Sequence, residues 1–342
     1  MIGPSPLWFH AIVAAVALSG ALLLADGKGD RGGVAFSFAD PAIEESSGLV
    51  VDDGMVLTVN DSGDGPVVHV VDPSDGETVG RTTYSPDDVI DVEALAGEPD
   101  GTVWVGDIGD NGGRRASVTL YRLPPLRSGD RTVEAKRFDL RFADGPTNAE
   151  ALLVHPVSGR LYVVSKGLLG GRVYAAPERM STVGVGVLRR VGEVDGMVTD
   201  GAFVADGRHV VLRTYSSASV LDPRTWKSLG RFALPHQQQG EGVAVIDGGR
   251  SLLLSSEGRR SELLEVPLPD RVLEAMAPRA AEPDQSPSGS DVTGPDDPVD
   301  RAARDGWSAR MWTGVVLLGA VGVALVVTVA RHLRSRRTPS SR

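Results

Sequence analysis

The chain has 342 residues, 41% hydrophobic and 23% charged, which is enough for one large domain with accessory segments. A net charge of -10 and an isoelectric point near 5.1 argue against a nucleic-acid binder. Cysteine is absent, which excludes a disulfide framework and any Cys metal site.

The N-terminal residues 7–25 form an apolar run containing His10 and Ser19, with no Lys or Arg before it. Residues 1–32 therefore read as a signal peptide or an N-terminal anchor. A lone strand pattern at 33–38 follows. Five units then repeat one phrase. An acidic or polar residue, a small one and an apolar one open a strand; a Gly-containing turn follows; a second apolar strand closes on a polar residue. In order these are Ser47-Gly48-Leu49 through Gly54 to Asn60, and Glu93-Ala94-Leu95 through Gly101 to Asp107. Next come Glu150-Ala151-Leu152 through Gly159 to Ser165 and Lys166, and Asp200-Gly201-Ala202 through Gly207 to Arg213. The last is Glu241-Gly242-Val243 through Gly249 to Ser255. Each turn glycine precedes its closing residue by six positions, and the units start 41 to 57 residues apart. An all-β unit repeating at this period signals a propeller blade.

The second strands are near-continuous apolar runs, as expected when both faces are buried. Asp53-Gly54, Asp100-Gly101, Ser158-Gly159, Asp206-Gly207 and Gly248-Gly249 are hairpin signals, because Gly and Asx tolerate positive φ. Four units have a fourth strand, at 77–83, 133–142, 187–193 and 228–233; the last has none. The strand at 33–38 is expected to complete that last blade and close the ring. The expected fold is all-β: a single β-propeller over 33–275 with five blades, six being the competing count because the second unit is long.

Residues 276–310 are rich in Pro, Asp and Ser and read as a disordered tether. Residues 311–330 are uncharged and apolar, the length of a spanning helix, with Trp312 at the edge. The tail at 331–342 carries Arg331, Arg334, Arg336, Arg337 and Arg342. The positive-inside rule puts this tail in the cytoplasm and the propeller outside the cell membrane.

In each hairpin the first strand starts, and the second ends, at the same end of the blade. Five such pairs form a polar ring at one mouth of the central channel: Glu45, Asn60, Glu93, Asp107, Glu150, Lys166, Asp200, Arg213, Glu241 and Glu257. Converging polar groups in a concavity are the usual form of a ligand site. Carboxylates and amide oxygens suit Ca²⁺ or another divalent cation, with Asn60, Glu93, Asp107 and Asp110 as candidate ligands. Asp110 belongs to the densest motif, Asp107-Ile108-Gly109-Asp110-Asn111-Gly112, and Asn60-Asp61-Ser62-Gly63-Asp64-Gly65 is its counterpart in the first unit. Neither has EF-hand spacing. Lys166 and Arg213 suit an anion, by point charge and by bidentate fork. The competing account is that these charges pair with one another and tie blade ends around a wet channel. There is no G-x-S-x-G elbow, no P-loop and no zinc-ligand spacing among the six His.

The phrases Asp91-Val92-Glu93-Ala94-Leu95, Trp104-Val105-Gly106-Asp107-Ile108-Gly109-Asp110-Asn111, Ala149-Glu150-Ala151-Leu152 and Gly240-Glu241-Gly242-Val243 resemble exported bacterial propeller proteins, actinobacterial ones especially. These belong to a loose group of esterase-like phytases, SMP-30/gluconolactonases and YncE-type propellers. The resemblance covers residues 33–270. It implies a propeller and, for SMP-30-like lactonases, a divalent metal held by a Glu, an Asn and an Asp at the channel mouth. Glu45 or Glu93, Asn60 and Asp107 would be the counterparts; Lys166 and Arg213 lie outside that set.

Two functions follow. The first is a membrane-tethered, extracytoplasmic, non-catalytic propeller that binds a small molecule, glycan or envelope protein at its channel mouth. The alternative is a divalent-metal-dependent hydrolase of a lactone or phosphate ester. No catalytic motif stands out, and fold alone does not confer activity, so the first is the main reading.

Overall fold

The computed structural model describes residues 32–61, 64–85 and 88–277. The N-terminal apolar segment, most of the tether, the 311–330 segment and the basic tail lie outside the described residues. Among the described residues no helix is long and apolar enough to cross a membrane.

Residues 32–277 are nearly all β. After β1 (Gly33–Ser37) come β2 (Ser46–Asp52), β3 (Met55–Asn60), β4 (Val67–Val71) and β5 (Thr78–Ser85). The second unit holds β6 (Val92–Gly97), β7 (Val103–Asp107), β8 (Val118–Leu123), β9 (Arg131–Glu134) and β10 (Lys136–Phe142). The third holds β11 (Ala149–Val154), β12 (Leu161–Ser165), β13 (Gly170–Ala175) and β14 (Val185–Asp195). The fourth holds β15 (Val198–Phe203), β16 (Val210–Thr214), β17 (Ser217–Asp222) and β18 (Lys227–Ala233). The last holds β19 (Gly240–Ile246), β20 (Ser251–Ser256) and β21 (Glu262–Pro267).

Each first strand packs on the next, β2 on β6, β6 on β11, β11 on β15, β15 on β19, and β19 returns to β2. This cyclic order is a β-propeller. β1 pairs antiparallel with β21 and completes the sheet β1-β21-β20-β19, so the N-terminal strand joins the two ends of the described chain. The apolar second strands are buried as their sequences demand, β7 and β20 along their whole length.

Two features depart from the sequence reading. The single strand expected at 133–142 is broken at Ala135. β9 pairs parallel with β5 of the unit before, while β10 pairs with β8 and, in parallel, with β14. Outer strands have free edges, and here neighbouring units cover them. A short helix, α1 (Asp270–Met276), also follows β21. Its buried Val272 sits on Gly230 of β18, where a Cβ would come within 3.0 Å of the valine side chain.

Every first hairpin carries a register shift at the repeated phrase. The shifts fall between Ser47 and Leu49, Val92 and Ala94, Ala149 and Ala151, Val198 and Asp200, and Gly240 and Val243. These are β-bulges, which insert a residue and re-aim its side chain. Close packing of the first strands needs small residues here. Gly48 has φ 66, and a Cβ on it would lie 2.4 Å from the Leu95 amide.

Candidate functional site

The bulges decide which acids face the mouth. The inserted residue is Gly48 in the first unit, Glu93 in the second, Glu150 in the third and Thr199 in the fourth. In the last unit Glu241 and Gly242 lie in the shift opposite Ser255. Glu93, Glu150 and Glu241 therefore share a bulged position, and Asp200 does not.

Glu93 joins two loop acids. One oxygen each of Asp61, Asp91 and Glu93 lies within 4.8 Å of the others. Glu93 is 2% exposed, and among the described residues its carboxyl accepts no hydrogen bond, although its backbone carbonyl accepts one from Ser47 Oγ. Asp61 Oδ1 is likewise enclosed, with no partner among the described residues. Burial, then the charges of Glu150, Asp61 and Asp91, push Glu93 far above the usual carboxylate range. Burial and Asp61 push Asp91 up to about 6. Gly109 lets the acids approach: a Cβ there would lie 2.4 Å from Asp91 Oδ2 and 2.7 Å from Glu93 Oε1.

This cluster fits a divalent cation. Its donors are all hard oxygens, which suit Ca²⁺, Mg²⁺ or Mn²⁺. They repel one another, and a cation between them adds an attraction to each that offsets the repulsion.

Across the mouth, Lys166 Nζ lies 3.1 Å from Glu150 Oε2, and Asn148 Nδ2 donates to Glu150 Oε1 at 3.0 Å. The ammonium also lies over the Tyr215 ring, 5.4 Å from its centroid. Burial opposes the lysine charge, but Glu150 and Glu241 outweigh it and hold the ammonium protonated. Burial raises Glu150, and Lys166 opposes that. Glu241 is 3% exposed, with Oε2 enclosed and unpartnered. Burial pushes it up to about 8, with Lys166 opposing and Glu150 and Glu257 adding. Half-buried Glu257 accepts a hydrogen bond from Gln239 Nε2 and is raised to about 7 by burial, then by Asp61 and Glu45. Exposed Glu45 is raised by partial burial and by Asp61, Glu44 and Asp64.

Other residues expected in the ring are used internally. Asn60 Oδ1 accepts from the Glu44 and Glu45 amides at 3.1 Å, and its Nδ2 donates to Ala42 O and Asp64 Oδ2. Asp107 accepts from the amides of Ile90 and Asp91 and from Arg115 Nη1 at 2.7 Å. Asp110 accepts from the amides of Arg114 and Arg115, both at 2.9 Å. These three hold loops, so of the four candidate metal ligands the cluster keeps only Glu93. Arg213 is fully buried and is no anion fork at the mouth. It donates to Gly242 O, Ser255 O and Gln237 Oε1, clamping the fourth unit to the last. Asp200 is also fully buried, and its Oδ2 accepts the Val243 amide at 2.8 Å. Burial raises Asp200 well above the carboxylate range and lowers Arg213 to about 10. The sequence reading left Asp91 and Tyr215 unassigned. Each lies two positions from a ring residue, which was the available signal.

A cavity of about 290 Å³ opens at the opposite end of the first strands, with Val51, Leu95, Leu153, Phe203 and Val245 in its wall. Its lining acids are Asp52 and Glu98, and Glu98 already accepts the Trp104 indole N–H at 2.7 Å. The titratable chemistry lies at the bulged end.

No protein-family model matches the chain, and neither does any curated protein sequence. Among solved structures it is similar to a gluconolactonase from Xanthomonas campestris, with 16% identity and a TM-score of 0.42, covering 70% of this chain and 91% of that one. It is also similar to a luciferin-regenerating enzyme, with 10% identity and a TM-score of 0.40, covering 65% of this chain and 78% of that one.

Proposed function

We propose that this protein is a divalent-cation-dependent hydrolase of a lactone or phosphate ester, carried on a propeller of five four-stranded blades with β1 as the outer strand of the last. The observation that carries this reading is the Asp61–Asp91–Glu93 cluster, oxygen-only, with Glu93 buried and Asp61 and Asp91 half-buried, and with Arg115 and Lys166 offsetting only part of its charge. Three protein oxygens leave coordination positions open on an ion that takes about six to eight, so water and substrate can bind beside them. A bound cation would polarise the substrate's carbonyl or phosphoryl oxygen and acidify a bound water. Gly109 keeps the cluster closed, and Lys166 offsets part of the acid charge for an incoming anionic group.

The test starts from the full chain stripped with EDTA. Adding Ca²⁺ or Mn²⁺ should raise its unfolding temperature, by about 2.7 kcal/mol of stability at a hundred times Kd. Asp91→Asn and Glu93→Gln should lose that response, and the loaded parent should hydrolyse δ-valerolactone or p-nitrophenyl phosphate. A parent with no response to either ion overturns the proposal. The non-catalytic reading, capture of a ligand or envelope partner, draws on one observation. Leu168 and Leu169, in the turn after Lys166, are 68% and 93% exposed. Cation binding without turnover would favour it.

We further propose that residues 311–330 anchor the protein in the cell membrane with the propeller outside. A reporter active only in the cytoplasm should work when fused after Arg342; silence there overturns this topology.

A further inference from the structure

Four units carry an acid in the repeated phrase, and three of those acids are spoken for. Glu93 belongs to the oxygen cluster. Glu150 is held by Lys166 and Asn148. Asp200 takes the Val243 amide inside the clamp between units. Glu241 is different: it is 3% exposed, its Oε2 has no partner, and among the described residues its carboxyl makes no hydrogen bond. A carboxyl buried without a partner is costly to keep and calls for a reason.

Its surroundings supply one. The charges of Glu150 and Lys166 from the third unit, Asp200, Arg213 and Tyr215 from the fourth, and Glu257 from the last unit all bear on Glu241. Lys166 is shared, because it opposes the upward shift of Glu93 as well as that of Glu241. The bulge on β19 sets Glu241 at the same position in its hairpin as Glu93 has in its own. Glu93 lies in the cation cluster; Glu241 is not one of its three acids, and the Glu150–Lys166 pair acts on both carboxyls.

We propose that Glu241 is the acid–base residue of this site. This rests on the hydrolase reading above. The Glu241 carboxylate takes a proton from the attacking water as the water oxygen bonds to the substrate's carbonyl carbon or phosphorus. The bond to the leaving oxygen then breaks, and Glu241 returns the proton to that oxygen. Water and ester become acid and alcohol, and Glu241 ends as it began. Burial pushes its pKa up to about 8, where a carboxyl can both take up and return a proton near neutral pH.

Glu241→Gln tests this, because Gln copies a neutral carboxylic acid in shape and cannot exchange a proton. A merely structural neutral acid predicts unchanged turnover and unfolding temperature. The acid–base role predicts a kcat lower by about 10²-fold or more, with the cation response retained. In the parent, kcat/KM should rise with pH through about 8. Lys166→Met should move that midpoint to higher pH, since it removes the charge that opposes protonation. A readout apart from turnover is infrared titration from about pH 6 to about pH 10: a carboxylic C=O band lost in the parent should be missing in Glu241→Gln. Retained kcat in Glu241→Gln, or no band difference, overturns the assignment and leaves the hydrolase reading standing. A cation-binding parent that hydrolyses neither probe overturns both. A parent that takes up no cation removes the site beneath it.

Discussion

The third and fourth units carry the same repeated phrase, yet their acids have different work. Glu150 lies in a bulge at the channel mouth and meets Lys166. Asp200 pairs in register with Arg213 one position past its bulge, and both are sealed between units. The difference is one residue. In the fourth unit the inserted position is Thr199, whose hydroxyl donates to the carbonyls of Gly240 and Glu241. A one-residue change of register turns a side chain to another face, so the same residue type becomes site or architecture.

The comparison can be broken first at Arg213. Arg213→Met removes donors to two buried carbonyls and to Gln237, and should cost about 3–5 kcal/mol in urea unfolding. Lys166→Met at the mouth should cost clearly less; equal losses would erase the distinction between clamp and mouth.

The pH dependence sharpens it next. Asp91, Glu257 and Glu241 titrate in the folded protein at about 6, 7 and 8, above ordinary carboxyl values near 4. Between those limits the folded state holds protons that the unfolded state has released. Stability of the cation-free protein should therefore fall as pH rises from about 4 to about 8, by about 1.4 kcal/mol per unit of displacement at most. Saturating Mn²⁺ should flatten the slope, as read from unfolding midpoints against pH. A slope of opposite sign would show that these acids are paired rather than frustrated.

Gly109→Ala places a methyl among the Asp91 and Glu93 oxygens. It should abolish the cation response for about 1–2 kcal/mol of stability. A normal response would mean that the cation lies elsewhere. The smallest effect is expected for Asp200→Asn. Burial disfavours the charged form of Asp200, so the near-isosteric amide should change urea stability by less than about 1 kcal/mol. A large loss would make Asp200 the ionised partner of Arg213.

The amino-acid sequence alone determined the repeat, the strands and the turns. Hairpin glycines such as Gly101 and Gly207 occupy φ 82 and 67, a local demand that a local residue choice reveals. It also determined the joining of β1 to β21, because a last unit with three strands and a lone strand before the first have one economical solution. Glu93, Glu150, Lys166 and Glu241 were legible as mouth residues because a repeat puts equivalent positions at one end. Tertiary structure decided which polar groups remain free. Asn60, Asp107 and Asp110 look like ligands in sequence, but loop amides already occupy their oxygens, and those amides carry no side-chain signature. Asp91 enters the cluster because the loop before β6 lies against Gly109, whose amide donates to the Asp91 carbonyl. Arg213 and Asp200 are sealed because the fourth bulge falls one residue early. Bulge position, loop closure and hydrogen-bond saturation depend on packing between distant strands, so residue order indicates where the acids gather but not which of them stay unpaired.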